Sequence, residues 1–593
     1  LPESVQTIGK SVFSGCSKLQ SVHLPQDLKE IPEFTFNACK KLTEVNIPEQ
    51  LQTIGKSAFN GCNTLQNIQF PQTLTEILEK AFINCSALQE IILPEHVMSV
   101  GNSAFSGCTS VTTLQLNEEL QTIGETAFIG TAMIELTIPA SVASIGENAF
   151  TSETLQRVTA AEGVTEINGL SGCPALQEVQ LPSTLKSIAE YAFGEDAALE
   201  HITIPDGTES ISHSAFAGCE SLQSITIPDS VTSIGEDVFY QCNLAGGITL
   251  SAAITEIPSG AFRETKITEL ILPDTVTAIG DLAFASCEQL RTVQLPNSVT
   301  TMGVSVFESC KALESVQLPN QITEIASKTF YGCASLQSIE LPDSVKTIGG
   351  YAFHACKSLQ QIQLNQVSSI GESAFSSSGL TSLLIPSSMV SVDRYAFAGC
   401  ASLQSVTIKE GLCSLEERVF VDCPQVTEYN LPRSLKTIPA YSVAAIQKDS
   451  GCFYLDTVTI KAPNSSGAIT YAKANKIPYK IVIGIEEPLP EHYIHGYCGD
   501  GDWVFDTDQN TLMIDAVHPS TVFLTEDQAV LDIASLPIEN IVFLTHTMNI
   551  PEKMFEGFTG IKTVTMAAVS SVCLLYTSPS PRDSCASRMT SSA

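Results

Sequence analysis

The chain has 593 residues and a formal net charge of −34, with 30 Lys and Arg against 64 Asp and Glu. Apolar residues make up 44% and the mean hydropathy is +0.16, far above the profile of a disordered acidic chain, so the charge is carried by a folded protein. The acid excess argues against nucleic-acid binding, which needs clustered Lys and Arg. No uninterrupted apolar run of about eighteen residues offers a membrane-spanning helix.

The chain opens at LPESVQTIGKSVF, without an initiating Met and already inside a repeat. A Phe then recurs every 22 or 23 residues from Phe13 to Phe420, interrupted once by Leu170 and followed by Val443 at the next repeat. A fixed period of this length marks a solenoid, in which one short unit cannot bury its apolar face and must stack on its neighbours. The expected fold is an α/β repeat solenoid with parallel strands, about 20 coils of 22–23 residues over residues 1–461. Such an array needs no globular subdivision, because it grows by adding coils and not by enlarging one core.

One coil, LQSITIPDSVTSIGEDVFYQC from Leu222 to Cys242, divides into three pieces. LQSITIP places Leu222, Ile225 and Ile227 around a short strand ended by Pro228, which cannot donate to a ladder. DSVTSIG is read as a turn that points Val231 and Ile234 inward, with Gly235 supplying a permissive backbone. EDVFYQC is read as one helical or irregular turn that buries Phe239 and Cys242. The coil ending at Leu170 is shorter than the rest, and a bend or irregular packing is expected there.

These columns resemble the BspA-type leucine-rich repeats of bacterial and protist surface proteins, whose pattern is close to LxxIxIPxxVxxIGxxAFxxC. The match covers residues 1–461, as in SLQSITIPDSVTSIGEDVFYQC and SLQSIELPDSVKTIGGYAFHAC. The resemblance implies a leucine-rich-repeat superhelix, a cell-surface or extracellular location, and a role in adhesion or recognition of host or neighbouring-cell macromolecules.

Fourteen cysteines follow the repeat position by three residues, from Cys16 and Cys39 to Cys400 and Cys423. Disulfides, metal ligation and buried free thiols compete for this column. Parallel Cβ vectors in a ladder suit the disulfide dihedral poorly. Thr131, Thr265 and Ser378 occupy the same column, which points to a niche for a small weak donor, hence free thiols in a reducing or anaerobic setting.

The outward strand column runs His23, Asn46, Gln69, Ile92, Gln115, Thr137, Thr159, Gln180, Thr203, Thr226, Thr249, Ile271, Gln294, Gln317, Glu340, Gln363, Leu384, Thr407, Asn430 and Thr459. Glu340 is its one acid, and the surplus acid is assigned to turns, as at Glu125, Asp206 and Asp229. One reading is a strand-surface consensus without a ligand, since Thr and Gln suit such positions. The other is a neutral hydrogen-bonding surface for protein or glycan, with Gln69, Gln115, Thr137, Gln180, Thr203, Thr226, Thr249, Gln294, Gln317, Glu340, Gln363 and Thr407 facing the ligand.

No catalytic constellation emerges. The nine His residues are scattered, with no Gly-flanked nucleophile serine or phosphate-cradling loop beside them. His492, His495 and Cys498 in EHYIHGYC have metal-like spacing but no paired fourth ligand, and the segment is read as a solvated turn after the linker EEPLPE. The chain is therefore expected to be non-enzymatic, with no cofactor and no metal.

After the last coil, an Ala-rich helix near Gly467 to Asn475 and a strand in IPYKIV are read as a cap over residues 462–484. Residues 485–497 read as a linker. Residues 498–572 read as the start of a second β-rich segment and repeat array, with Trp503 in a hairpin and Phe555 in the Phe column. Residues 573–593, CLLYTSPSPRDSCASRMTSSA, share neither period nor composition with the rest and resemble a translated sequencing adaptor.

The expectation is a fragment of a larger surface protein that binds a protein or glycan ligand through its sheet face. An intracellular scaffold or secreted effector using the same face is the alternative.

Overall fold

The computed structural model describes residues 1–463, 466–481, 493–498, 501–506, 510–515, 523–525, 536–543 and 559–566. It forms a parallel-strand solenoid that divides into two compact units, Leu1–Gln321 and Ile322–Ala593. Within each unit the coils stack at the sequence period. Among the described residues the single helix is Gly467–Asn475.

In the unit Leu1–Gln321 most coils contribute two short parallel strands, while the coils holding Gln69 and Thr203 contribute one. The first ladder is the expected one, in which Glu269–Ile271 pairs with Thr292–Gln294, which pairs with Ser315–Gln317. The second lies where the sequence predicts only a turn: Ser233–Ile234 pairs with Ser210–Ile211, which pairs with Ser187–Ile188. Each strand of this second ladder is two residues long, too short for an alternation signal, and its inward Ile is buried.

The segment around each Phe is neither strand nor helix but a third hydrogen-bonded column. Ser57, Phe59 and Gly61 donate their N–H groups to the carbonyls of Glu79, Ala81 and Ile83 in the next coil, at 2.9, 2.7 and 2.9 Å. The intervening amides close tight turns within the coil, as in Ala58 to Gly55 and Asn60 to Ser57. This alternation needs left-handed backbone two residues before the Phe, where Phe34, Lys80, Thr126, Tyr191 and Leu282 all have φ between 52 and 59. Such a conformation costs a non-glycine residue roughly 1–2 kcal/mol. It persists because the bonds to the next coil leave no alternative partner for these amides.

Inside, the Phe rings stack as a column. From Phe13 to Phe150 successive centroids lie 4.9–5.6 Å apart with interplanar angles of 22° or less. These are offset stacks, worth about 0.5–1.5 kcal/mol each beyond their buried area. Leu170 interrupts the rings, and the irregular packing expected there is present. Phe150 N–H reaches Gly169 O and Gly172 N–H reaches Gly194 O, one bond per junction where regular coils make three. Asn168 bridges the gap, donating from its side chain to Ile145 O at 3.0 Å.

In the unit Ile322–Ala593 the same columns run from Phe330 through Phe353, Phe375 and Phe397 to Phe420, at 5.0–5.3 Å. The coil containing Val443 holds an insertion that the period does not reveal, an antiparallel hairpin of Ala445–Lys448 and Gly451–Tyr454. The helix Gly467–Asn475 starts at the N-cap Ser466, whose hydroxyl accepts from Ile469 N–H, and ends at Lys476 in the left-handed region. It buries Ala468, Ile469, Tyr471 and Ala472, and the Tyr471 hydroxyl donates to Val443 O at 3.2 Å. Tyr479–Ile481 then pairs parallel with Thr459–Ala462.

Further on, Tyr493–Cys498 is a strand antiparallel to Gly501–Asp506. This corrects the solvated-turn reading of EHYIHGYC over residues 493–498, where six consecutive residues pair with a neighbouring strand; His492 lies outside the described residues. Gly501–Asp506 pairs in turn with Thr511–Asp515, burying Trp503, Phe505, Leu512 and Ile514. Phe555 and residues 573–593 lie outside the described residues.

Gly235 also acts differently from expectation. Its φ is not left-handed; a Cβ there would lie 2.2 Å from His213 N and 2.4 Å from Ser212 C in the preceding coil. The glycine column therefore permits close approach of backbones between coils. Gly9 stands in the same column of the first coil, where a Cβ would meet nothing within 4 Å. Gly235→Ala is expected to cost about 1–3 kcal/mol by overpacking, while Gly9→Ala leaves stability unchanged or slightly raised. Denaturant unfolding of the two variants checks this.

Candidate functional site

The structure places eleven of the twelve candidate ligand-facing residues in the open. In the unit Leu1–Gln321, Gln69, Gln115, Thr137, Gln180, Thr203, Thr226, Thr249, Gln294 and Gln317 are all exposed. In the unit Ile322–Ala593, Glu340 and Gln363 are exposed, whereas Thr407 is half-buried and its Oγ1 accepts from Asn430 Nδ2 at 3.3 Å. Strand pairing brings the exposed side chains into register, so that Thr137, Thr159 and Gln180 form one row and Ile271, Gln294 and Gln317 another.

The face is more acidic than its neutral column alone suggests. Side chains two residues apart on a strand share a face, and the positions preceding the neutral column hold Glu44, Glu90, Glu135, Glu178 and Glu269, all exposed. Glu135, Arg157 and Glu178 lie in register, with Arg157 paired to Glu135. Gln180 Nε2 donates to Glu178 Oε1 at 3.1 Å, so the two columns are coupled. Signal for this second column was present in the sequence as a recurrent Glu two residues before the outward position.

Acids in the turns bond to neighbouring coils. Asp229 Oδ1 accepts the Ala252 N–H at 2.8 Å and Glu162 Oε1 the Ser183 N–H at 3.0 Å. The neutral column also carries bare apolar surface: Ile271 is 78% exposed, Ile92 48% and Leu384 47%.

The thiol column is internal. Cysteines from Cys39 to Cys423 in this column are buried thiols, and the Cys16 thiol is exposed. Cys62, Cys85 and Cys108 donate to the Phe carbonyl of the preceding coil at 3.1–3.3 Å. Thr265 places its hydroxyl 2.8 Å from Phe262 O and 3.2 Å from Cys287 Sγ, and Ser378 lies 3.3 Å from Cys400 Sγ. Burial pushes the Cys39 thiol up to about 11 and that of Cys108 to about 12.

Asp196 is a further occupant of this column, overlooked in the sequence because its coil reads FGEDA. It is 0% exposed. One carboxylate oxygen accepts the Cys173 N–H at 2.8 Å, and the other has no hydrogen-bond partner. Desolvation holds its carboxyl well above the usual carboxylate range, with Glu195 adding to the shift and the Cys173 N–H opposing it.

Two outcomes are expected. Alkylation of the native protein at pH 7 labels Cys16 while Cys39 and Cys108 stay protected until unfolding, since the thiolate is the nucleophile; peptide mass mapping reads this out. A carboxyl raised in the folded state binds protons more tightly than in the unfolded chain. Its contribution to stability is then present in acid and lost as pH rises from the ordinary carboxylate value through the folded one. The gain in melting temperature from Asp196→Asn should therefore be small in acid and widen as pH rises above the ordinary carboxylate range.

Among the described residues no group of His, Cys, Asp and Glu could hold a metal ion, and no helix is long and apolar enough to cross a membrane. A leucine-rich repeat protein from Bacteroides ovatus is similar at 24% identity over 77% of this chain and 87% of its own, with a TM-score of 0.34. A leucine-rich cell surface protein from Faecalibacterium prausnitzii is similar at 28% identity over 54% of this chain and 89% of its own, with a TM-score of 0.35. No curated protein matches the sequence. The model of the BspA type leucine rich repeat region matches residues 1–97, 75–193, 168–291, 255–379 and 323–448, and the chain belongs to the BspA-type leucine-rich repeat family.

Proposed function

We propose that the chain is a non-catalytic recognition protein of a bacterial cell surface, binding a macromolecular partner through the exposed sheet face. Ile271 carries this reading. It is 78% exposed, in register with the polar side chains of Gln294 and Gln317 and on the same face as Glu269.

Burying a side chain of that size releases about 1.5–3 kcal/mol. A bare aliphatic centre with a hydrogen-bonding rim has the makeup of a protein-binding hot spot. The Glu column selects a partner that brings cations or donors and repels polyanions. Parallel ladders hold the face rigid, so little ordering entropy is lost on binding. The cell-surface location is supported by the family and by the Faecalibacterium protein, itself described as a cell surface protein.

The same reading divides the chain into an array over residues 1–461, a cap over 462–484 and the start of a second array up to 572, whose first strand, Tyr493–Cys498, moves the end of the expected linker 485–497 back to before Tyr493. In support of the last, Asn540 pairs in parallel with Thr563, at the offset of 23 residues that separates regular coils.

The test is binding of the recombinant chain to a panel of host extracellular-matrix and bacterial surface proteins. Ile271→Lys is expected to weaken the leading interaction by roughly 30-fold, the scale of about 2 kcal/mol for a hot-spot residue, with the melting temperature unchanged. Uniform lack of binding, or an Ile271→Lys variant that binds as the parent does, would contradict the proposal.

A further inference from the structure

A second surface in the unit Leu1–Gln321 has different chemistry. It lies on the turn column, away from the sheet strands, where three successive coils place carboxamides together: Asn37, Asn60, Asn63 and Asn84. With Lys40 at the rim, they line an open groove of about 580 Å³, within the roughly 300–1,000 Å³ typical of small-ligand sites.

The groove exists because its floor is backbone. Gly61 and Gly107 line it in left-handed conformations, with φ of +71 and +73. A Cβ on Gly107 would fall 2.6 Å from Asn84 Oδ1. One wall is held in place once the Asn63 amide is assigned the orientation that satisfies its neighbours, in which it donates to Gly61 O at 2.7 Å and to Asn84 O at 3.1 Å. Among the described residues, no protein group hydrogen-bonds the side-chain amides of Asn60 or Asn84.

In a chain with 64 acids, the residues lining this groove include no carboxylate, no aromatic ring and one cation, Lys40. The apolar part of the lining is dispersed over Ala38, the Lys40 stem and the Thr109 methyl with no large side chain to seat an apolar peptide residue, and a phosphate chain finds no cluster of cations. The carboxamides of Asn60 and Asn84 each offer two donors and an acceptor oxygen, Asn37 spends one donor on Ser14 Oγ, and Ser86 and Thr109 add hydroxyls. That inventory matches a ligand whose every group both donates and accepts, which is a polyol. We propose that this groove binds a short neutral oligosaccharide, independently of whatever the sheet face recognises.

The test uses the full chain and an array of neutral glucan, mannan, galactan and chitin fragments, with heparin as the anionic comparison. Asn84→Gly removes one amide without backbone strain, because Gly61 and Gly107 hold the equivalent position in adjacent coils. Asn60→Ala copies Ala217 and Ala285, which stand in its column elsewhere. Calorimetry on the best array hit is expected to show a loss of about 10-fold or more in the Asn60→Ala, Asn84→Gly double variant, the scale of two lost hydrogen bonds. The sheet-face variant Gln294→Ala, Gln317→Ala should bind the sugar as the parent does. Absence of any neutral-sugar binding, binding to heparin alone, or full retention by the folded double variant would each overturn the assignment. Sugar binding lost in the sheet-face variant instead would move the site to that face and equally refute the groove.

Discussion

Every coil of this protein depends on its neighbour for backbone hydrogen bonds that it cannot make alone. Around the Phe of a regular coil, three amides point along the stack and meet carbonyls of the next coil, as Ser57, Phe59 and Gly61 do with Glu79, Ala81 and Ile83. Buried amides without partners are costly, and this one requirement accounts for features that look unrelated. It holds bulky residues such as Phe34 and Leu282 in left-handed backbone, brings the coils too close for a Cβ at Gly235, and sets the Phe rings about one stacking distance apart. The buried thiols fill what remains beside the rings, as Cys62 and Cys242 do in donating to a carbonyl that would otherwise lack a second partner.

What the sequence revealed is what repeats with a large side chain. The Phe and Cys columns and the inward Leu and Ile of the sheet strand recur strongly enough to establish the solenoid and to leave one outward column as the candidate face. Features defined by backbone alone stayed hidden. The ladder containing Ser233–Ile234 has strands of two residues, which cannot show a period. The hairpin Ala445–Lys448 with Gly451–Tyr454 interrupts the repeat without restarting it. Asp196 escaped notice because a carboxylate in a thiol column contradicts the column's own chemistry, and the unpaired oxygen it keeps shows that the contradiction is physical. For the candidate face, composition identified neutrality in one column but not the Glu column beside it, since that required knowing that both positions point outward.

Uniformity inside leaves the outside unconstrained. The columns that must match between coils are buried, so exposed positions can differ from coil to coil at no cost to stacking. Ile271 on the sheet and the Asn60 cluster on the turns occupy positions that hold Thr, Gln, Ser or Ala in other coils. A solenoid of this kind places chemically distinct surfaces on different sides of one rigid array, and neither surface needs a loop to be ordered when a ligand arrives.

The direction of the turn-column bonds bears on how such an array can lengthen or shorten. All of these amides donate forward and all of the carbonyls accept from behind, so each coil is a plug on one side and a socket on the other. Excising one complete coil would bring together a plug and a socket that already fit. Excising a single residue would misalign two strand ladders and the turn column at once. Length in this architecture is thus quantised in whole coils, and a gene for it can drift in repeat number by recombination while remaining intolerant of small deletions within any one repeat.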